Sequence, residues 1–476
     1  MTPPERATGR GLLRLPRPAG LPPAVPLSFA QQRLWTLEQW APGLPGSIIT
    51  TLWLLAKPPR PALLARVLRQ LLARHEALRS TLRVGASGEA VQVVHASMAV
   101  PLPCADLTAL APSQRQAALH QLAVASGRHR FDLLRGPALR ITRVRLASGG
   151  TEPSWALLLS IHHLVADSTS LGVLAADLAE LCRAAREVRT ARLPELAAQY
   201  PDFAASQRLR LRGTALEAEI GYWRSCLAGA RPLRLPADHP RPPQPAWRCR
   251  QEAFCWTPEL SGSLLELGRS HSASPYLLLL ASLQLLLARA SGEHDLVLGS
   301  SLSQRHVAET AGMVGLLVHT LTLRTSLAGD PDFATALERT RQAVLAAFSH
   351  QEVPHEEWLR REHPEVDPVR APLARVAFTL RAGPDAGTGD SGEHEPPLLQ
   401  PVDLPQPASR FDLEIHVWLG EDGSIHGLSF YDPDLFAAAT IRHLLGRWTA
   451  LLRSLLADPA APLSRLLPAT VQDLPP

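Results

Sequence analysis

The feature that most constrains the fold is a nearly continuous apolar run, Trp155 to Ile161, which ends in two adjacent histidines. A short run of this kind is typical of a central strand that is covered on both faces. Leucines spaced three or four apart from Leu171 to Leu181 then predict a helix. The short loop between strand and helix therefore carries His162, His163 and Asp167, and a rigid strand end can hold such residues at a fixed place in a cleft.

Helical and strand patterns alternate along the rest of the chain, which predicts an α/β fold. Ser28, followed by Gln31, resembles a capping box and predicts a helix start, and a second helix should end near Leu78. The main boundary is predicted in the irregular stretch 187–201. We expect a flexible lead-in over 1–26, an N-terminal lobe over 27–190, a C-terminal lobe with crossing loops over 191–465, and a tail over 466–476.

Composition excludes several classes of protein. The chain has 476 residues, of which 46% are hydrophobic and 19% charged, and this is too apolar for a disordered protein. A net charge of +4 without blocks of like charge gives no reason to expect a nucleic-acid partner. Five cysteines without a CxxC pair suggest neither a disulfide framework nor a zinc ribbon, and no spacing of metal ligands is present. Because no secretory signal or membrane span is evident, a cytoplasmic location is expected.

The segment from His162 to Ser168, with the sequence HHLVADS, resembles the HHxxxDG signature of the condensation domains of nonribosomal peptide synthetases. Further segments resemble other motifs of that family in the family's order. They are Leu27 to Trp35 (SxAQxRLW), Arg74 to Arg79 (RHExLR), Tyr200 to Ala204 (YxDYA), Ser291 to Gly299 (SGQxDIVVG), Val314 to Thr320 (IGxFVNT), His350 to Pro354 (HQDxPFE), Ala371 to Leu373 (SRNPLF) and Phe411 to Leu413 (FDL).

The resemblance implies two lobes of chloramphenicol-acetyltransferase type that form a V-shaped pseudo-dimer with an active-site tunnel between them. It implies a thioester-dependent acyltransferase that forms peptide bonds in the biosynthesis of antibiotics and other secondary metabolites. Donor and acceptor peptidyl carrier proteins would present the substrates on phosphopantetheine arms, although a free amine acceptor remains open. No intrinsic cofactor, metal or membrane partner is implied, and the chain is expected to be a monomer.

By position in the motif, His163 is the expected catalytic residue, since an imidazole with a reference pKa of about 6.5 can accept a proton or donate a hydrogen bond near neutrality. His162 is expected to shape the loop. Asp167 corresponds to the structural member of the motif, and Arg305 is the candidate for its ion-pair partner from the other lobe. Whether His163 acts as a base or only orients the amine is left open.

Several positions depart from the family pattern. Ser168 replaces the glycine of the signature, where it either caps the next helix without consequence or narrows the tunnel. His319 and Ala371 stand where the family has asparagines, and His355 replaces a phenylalanine. These departures leave two alternatives open: a non-catalytic docking module that recruits carrier proteins or a partner enzyme, and an ester-forming or modified condensation. The sequence favours a subtype that accepts L-configured donors. It identifies neither the donor nor the acceptor, and it does not indicate whether the domain is free-standing.

Overall fold

The computed structural model describes residues 12–17, 24–41, 46–55, 60–86, 88–146, 154–243, 246–363, 372–381, 399–402, 404 and 408–466. The chain divides into two compact units. Residues 1–216, 303–319 and 390–404 form the first unit, and residues 217–302, 320–389 and 405–476 form the second.

The described strands, numbered along the chain, are β1 (Val25–Pro26), β2 (Ile48–Leu55), β3 (Ser80–Val84), β4 (Ala90–Val94), β5 (Cys104–Asp106), β6 (Leu139–Arg145), β7 (Trp155–His162), β8 (Arg250–Trp256), β9 (Asp295–Ser303), β10 (Val318–Ser326), β11 (Val376–Leu380), β12 (Leu399–Val402), β13 (Leu413–Leu419) and β14 (Ile425–Tyr431). The described α-helices are α1 (Phe29–Trp40), α2 (Pro61–Arg74), α3 (Pro112–Gly127), α4 (Ser168–Arg186), α5 (Tyr200–Arg210), α6 (Thr214–Leu227), α7 (Pro258–Ser270), α8 (Pro275–Ser291), α9 (Phe333–Ser349), α10 (His355–Glu362), α11 (Ala438–Ala457) and α12 (Leu463–Leu466). The α/β class predicted from the sequence is therefore confirmed.

The first unit is built on a five-stranded sheet of order β12-β2-β7-β6-β5, beside a three-stranded sheet of order β1-β4-β3. Strand β7 lies at the centre and pairs antiparallel with both β2 and β6. Its odd-numbered residues, Leu157, Leu159 and Ile161, pack in one hydrophobic core with Leu174 of α4. Ala156 and Leu158, which point to the other face, pack in a second core with Ala123 of α3. Burial on both faces explains why this strand is apolar almost throughout.

The predicted start of the first helix is confirmed, because Ser28 caps α1 and forms the capping box with Gln31. The predicted end of the second helix near Leu78 is wrong, since α2 ends at Arg74 and a separate 3-10 turn covers Glu76–Arg79. The cause is a contact with a distant helix. Asp177 of α4 accepts hydrogen bonds from Arg74 at 2.7 Å and His75 at 2.9 Å, which holds the chain where it leaves the helix.

The described part of the lead-in is held to the first unit by hydrogen bonds. The Leu13 and Leu15 amides donate to the side chains of Ser206 and Asp202 of α5 at 2.7 and 2.9 Å. The Arg17 guanidinium bonds Glu76 and Asp202, at 2.9 and 2.8 Å. Residues 12–17 of the segment expected to be flexible are thus anchored to α5 and to the turn after α2.

The second unit contains a six-stranded sheet of order β10-β9-β11-β13-β14-β8. Helix α8 belongs to the core of this unit, because every residue from Leu278 to Ala288 is buried. Gly292 ends the helix in the left-handed conformation, with φ of 73°, which glycine adopts without strain. The indole of Trp448 in α11 donates to Ser282 of α8 at 3.0 Å and joins the two helices.

None of the described helices alone has the length and apolar composition of a membrane span. One pair, α7 and α8, bent by 101°, meets those criteria only when the two helices are taken together.

Candidate active site

The two histidines lie at the end of β7, where the chain turns sharply before α4. The His162 amide donates to the Ala138 carbonyl at 2.9 Å, and the His163 amide donates to the Ser47 carbonyl at 2.6 Å. The Val165 amide then closes a tight turn on the His162 carbonyl at 3.0 Å. The backbone of the loop is therefore tied on its two sides to the residues that directly precede β2 and β6. His162 is buried, whereas His163 is half-buried.

The hydrogen bonds of His162 define its tautomer. The Leu164 amide donates to Nδ1 of His162 at 3.1 Å, so Nδ1 presents a lone pair and the proton of the neutral ring is on Nε2. That Nε2–H faces a carboxylate oxygen of Glu38 in α1, at 3.4 Å. The Phe131 ring packs edge-on against the imidazole, with centroids 6.2 Å apart. Both ring nitrogens of His162 are thus engaged within the protein, which fits a residue that shapes the loop.

Asp167 ends the loop and caps α4. One carboxylate oxygen, Oδ1, accepts from the amide and the hydroxyl of Ser170, each at 2.7 Å, and from Arg305 at 2.9 Å. The other oxygen accepts from the Leu317 amide at 3.1 Å. The aspartate side chain is only 3% exposed, so a carboxylate at this position depends on these four donors for its solvation.

Arg305 is the ion-pair partner of Asp167 in the structure, and its side chain is 9% exposed. A second guanidinium nitrogen donates to the carbonyls of Thr310 and Met313, at 2.6 and 2.7 Å. The arginine thereby closes its own loop while it contacts the aspartate. The segment 303–319 that carries Arg305 belongs to the first unit, together with Asp167. The pair is therefore a contact within one unit, whereas the sequence analysis expected the arginine to come from the other lobe.

Ser168, which replaces the signature glycine, is the first residue of α4 and is exposed. It does not cap the helix, because the capping group is the Asp167 carboxylate, which accepts from the Ser170 amide. A helical backbone at position 168 requires no conformation that is special to glycine. The serine is therefore accommodated without backbone strain.

The other departures lie elsewhere. His319 is buried in β10. His355 is buried at the start of α10, and its Nδ1 lies 2.8 Å from the hydroxyl of Thr322. Ala371 falls outside the described residues.

Sequence reasoning gave no role in this loop to Glu38, Ser170 or Tyr200. The structure places Glu38 against His162, and Ser170 against both Asp167 and Arg305. The Tyr200 hydroxyl lies between the Ser28 hydroxyl, at 2.8 Å, and the Leu316 carbonyl, at 2.9 Å. Tyr200 and Ser28 both lie in segments that resemble family motifs, but the sequence of those motifs does not indicate that the two side chains are in contact.

Within the ranges that the structure describes, no group of three or more His, Cys, Asp or Glu side chains is arranged to hold a metal ion. The chemistry that the loop can perform with its own side chains is proton transfer and hydrogen bonding by imidazole near neutral pH.

A buried strand, a two-histidine turn and an aspartate that caps the following helix define an α/β protein with a candidate acid–base loop. A sequence profile of the condensation-domain family matches residues 23–473. This chain belongs to that family, which confirms the resemblance seen in the motifs.

Two relatives illustrate the membership. Phosphinothricin tripeptide synthetase PhsC of Streptomyces viridochromogenes is 34% identical over 477 residues, which are 98% of this chain and 43% of that protein. Chondramide synthase of Chondromyces crocatus is 33% identical over 446 residues, which are 94% of this chain but 11% of that protein. The chain therefore spans less than half the length of these relatives.

Two solved structures resemble the chain over nearly its whole length. An X-domain solved in complex with OxyB, from teicoplanin biosynthesis, has a TM-score of 0.83 and 27% identity and covers 97% of this chain and 99% of its own. The first condensation domain of the calcium-dependent antibiotic synthetase, in complex with a substrate analogue, has a TM-score of 0.72 at 20% identity, over 94% of this chain and 100% of its own. That last likeness shows the fold alone, of chloramphenicol-acetyltransferase type.

Proposed function

We propose that this domain forms amide bonds, by attack of an acceptor amine on an acyl or aminoacyl thioester carried by a peptidyl carrier protein, with His163 as the catalytic residue. The observation that carries the proposal is the contrast within one loop. His162 and Asp167 are buried, whereas His163 is half-buried at the end of a strand whose backbone is held on both sides.

The chemistry asks for little beyond positioning and one proton transfer. The amine nitrogen attacks the thioester carbonyl carbon, the C–N bond forms, the C–S bond breaks, and the proton lost by nitrogen balances the thiolate that leaves as a free thiol. An α-amine with a pKa of about 7.7–8.0 is partly neutral at pH 7, so a strong base is not needed. Holding the two reactants in the correct orientation supplies much of the rate enhancement. An imidazole can take up the proton that is released as the C–N bond forms.

Among the titratable side chains of this loop, His163 is best suited to that step. The carboxylate of Asp167 accepts from four donors, so using it as a base would remove a charge that the fold relies on. The Nδ1 lone pair of His162 is occupied by the Leu164 amide, and its Nε2–H points to Glu38. His163 is held through its backbone, by the bond to Ser47, which fixes the position of the ring's attachment.

Members of the condensation-domain family act on substrates carried on the phosphopantetheine arms of carrier domains. For this chain we propose a donor carrier and an acceptor carrier as partners, with a free amine as the alternative acceptor. The cofactor arm arrives with the carrier, so the domain itself would bind no cofactor of its own.

A second candidate is a docking module without turnover. It is favoured by the likeness to the X-domain solved in complex with OxyB, at a TM-score of 0.83 and 27% identity over nearly the whole chain. The altered positions Ser168, His319 and His355 fit this alternative as well. Under it, the domain would bind a carrier or a partner enzyme and be indifferent to the chemistry of the His163 ring.

The test mixes a donor carrier loaded with an aminoacyl thioester, an aminoacyl acceptor carrier and the domain, and follows products by intact-mass spectrometry. His163→Ala should reduce the rate about a hundredfold or more, as loss of a proton-transfer group does. His120→Ala is the matched control, because His120 is an exposed histidine on α3 of the same unit. Carrier binding should be retained in both variants.

Product formation that persists in His163→Ala would contradict the assigned role. No product from any loaded pair, with carrier or partner binding that is unchanged by His163→Ala, would replace the proposal with the docking module.

A further inference from the structure

The hydroxyl of Tyr200 belongs to a chain of hydrogen bonds in which the donor and the acceptor of each bond can be assigned. The Leu316 carbonyl can only accept, so the Tyr200 hydroxyl donates to it, at 2.9 Å. The Ser28 hydroxyl, 2.8 Å from the same oxygen, must then donate to Tyr200, while it accepts from the Gln31 amide at 3.1 Å. Burial raises the pKa of Tyr200 well above its ordinary value, so the phenol stays protonated and remains a donor.

The segment that receives this hydrogen bond is closed upon itself. The Gln304 amide donates to the Leu317 carbonyl at 2.6 Å, and Arg305 spans the segment to Thr310 and Met313. We call residues 304–317 the clamp loop. Its backbone lies directly on the tyrosine ring, because a Cβ atom added at Gly315 would come within 1.9 Å of Cδ2 of Tyr200.

The clamp loop in turn holds the end of the histidine loop. The Leu317 amide and the Arg305 guanidinium both donate to Asp167, at 3.1 and 2.9 Å. The Gly315 amide donates to the Ser170 hydroxyl at 3.1 Å. Tyr200 therefore fixes the clamp loop at Leu316, between two residues that bond to the N-terminus of α4.

We propose that Tyr200 is a positioning residue for the condensation reaction. The Tyr200 hydroxyl determines the position of the clamp loop, and the clamp loop determines the position of the Asp167 carboxylate. Asp167 in turn fixes the C-terminal end of the loop that carries His163. Tyr200 is 0% exposed, so it would act through these contacts rather than by touching substrate. The proposal rests on the proposed function for its kinetic consequence, but the coupling between Tyr200 and Asp167 can be measured without turnover.

The test uses Tyr200→Phe in the full chain, which removes one oxygen and keeps the ring that fills the core. We expect kcat for condensation to fall between about tenfold and a hundredfold, the scale of a small misplacement, with KM for the loaded carriers unchanged. If Tyr200 acts through Asp167, the double variant with Asp167→Asn should be no slower than Asp167→Asn alone.

The second readout is hydrogen exchange at three amides that report the coupling, those of Ser170, Gly315 and Leu317. All three should exchange faster in Tyr200→Phe. The matched control is Tyr276→Phe, since Tyr276 also donates one hydrogen bond, to Ser300 at 2.8 Å, and burial raises its pKa to about 12. The control should leave the three amides and kcat as they are.

Unchanged exchange at these amides in a folded Tyr200→Phe would overturn the proposal, and so would faster exchange with unchanged kcat. If the native chain shows no turnover, the proposed function fails while the exchange result still decides whether Tyr200 controls the Asp167 contacts.

Should Tyr200→Phe not fold, Gly315→Ala displaces the same loop from the ring, and the same three amides should exchange faster. Gly172→Ala is its control, because a Cβ atom at that helical position meets nothing within 4 Å. Equal exchange in these two glycine variants would refute the coupling.

Discussion

Removing the guanidinium of Arg305 should destabilise the first unit strongly. In Arg305→Met the Asp167 carboxylate keeps three neutral donors but loses its only charged partner among the described residues. In the native chain the side chains of Arg305 and Asp167 are 9% and 3% exposed. Breaking a buried pair on one side costs about 3–5 kcal/mol. Because three donors remain on Asp167, we expect the lower end, about 3 kcal/mol.

The assay is thermal unfolding followed by circular dichroism, with urea titration to give the free energy. For a unit of roughly 250 residues, a loss of about 3 kcal/mol corresponds to a fall in Tm of about 6–12 °C. The matched control is Arg269→Met, which breaks an ion pair with Glu266 in which both side chains are 67% exposed. That variant should unfold almost where the native chain does, since exposed pairs are screened by water.

The pairing also predicts non-additivity. Asp167→Asn removes the charge that Arg305 leaves unpaired, so the double variant should be less destabilised than the sum of the two single variants. Equal Tm values for Arg305→Met and Arg269→Met, or strict additivity in the cycle, would refute the assignment of a buried, coupled pair.

Two further predictions concern acid stability and the altered signature position. Burial acts to raise the pKa of Asp177, but hydrogen bonds from His75 and Arg74 outweigh it and hold that pKa below its ordinary value. The stabilisation that ionised Asp177 gives to the fold is complete above the pKa of an aspartate in the unfolded chain, about 3.9, and is lost as the pH falls through the lower pKa of the folded state. The difference in unfolding free energy between the native chain and Asp177→Asn should therefore shrink between about pH 5 and pH 2. Urea titrations across that range measure the gap, and a constant gap would contradict the prediction. Ser168→Gly should change the free energy of unfolding by less than about 1 kcal/mol and leave turnover within about twofold, because Ser168 is exposed and Asp167 supplies the cap. A large gain in turnover on restoring glycine would instead mean that the serine hydroxyl obstructs substrate.

The sequence predicted the elements whose signals are local. The apolar run from Trp155 to Ile161 predicted β7 because both faces of that strand are buried in separate cores. Ser28 and Gln31 predicted the start of α1 because a capping box needs only residues within one turn of each other.

The remaining features depend on contacts between residues far apart in the chain. Nothing near Arg74 indicates that Asp177 will end the helix there. Strand β12 pairs antiparallel with β2, from which it is separated by more than three hundred residues, and its register cannot be inferred from its four residues. Arg305 was named as a candidate through the resemblance to the family, but the unit to which its segment belongs is decided by packing rather than by chain order.

These contacts change what the signature says about catalysis. Asp167 is bound by Ser170, Leu317 and Arg305, contacts that a docking module with this fold would need as much as an enzyme would. Its presence therefore does not discriminate between the two functions. The backbone amide of His163 donates to the Ser47 carbonyl, and any residue other than proline can make that bond. The two candidate functions differ in whether they need the imidazole of His163, so the comparison of His163→Ala with His120→Ala bears most directly on the choice.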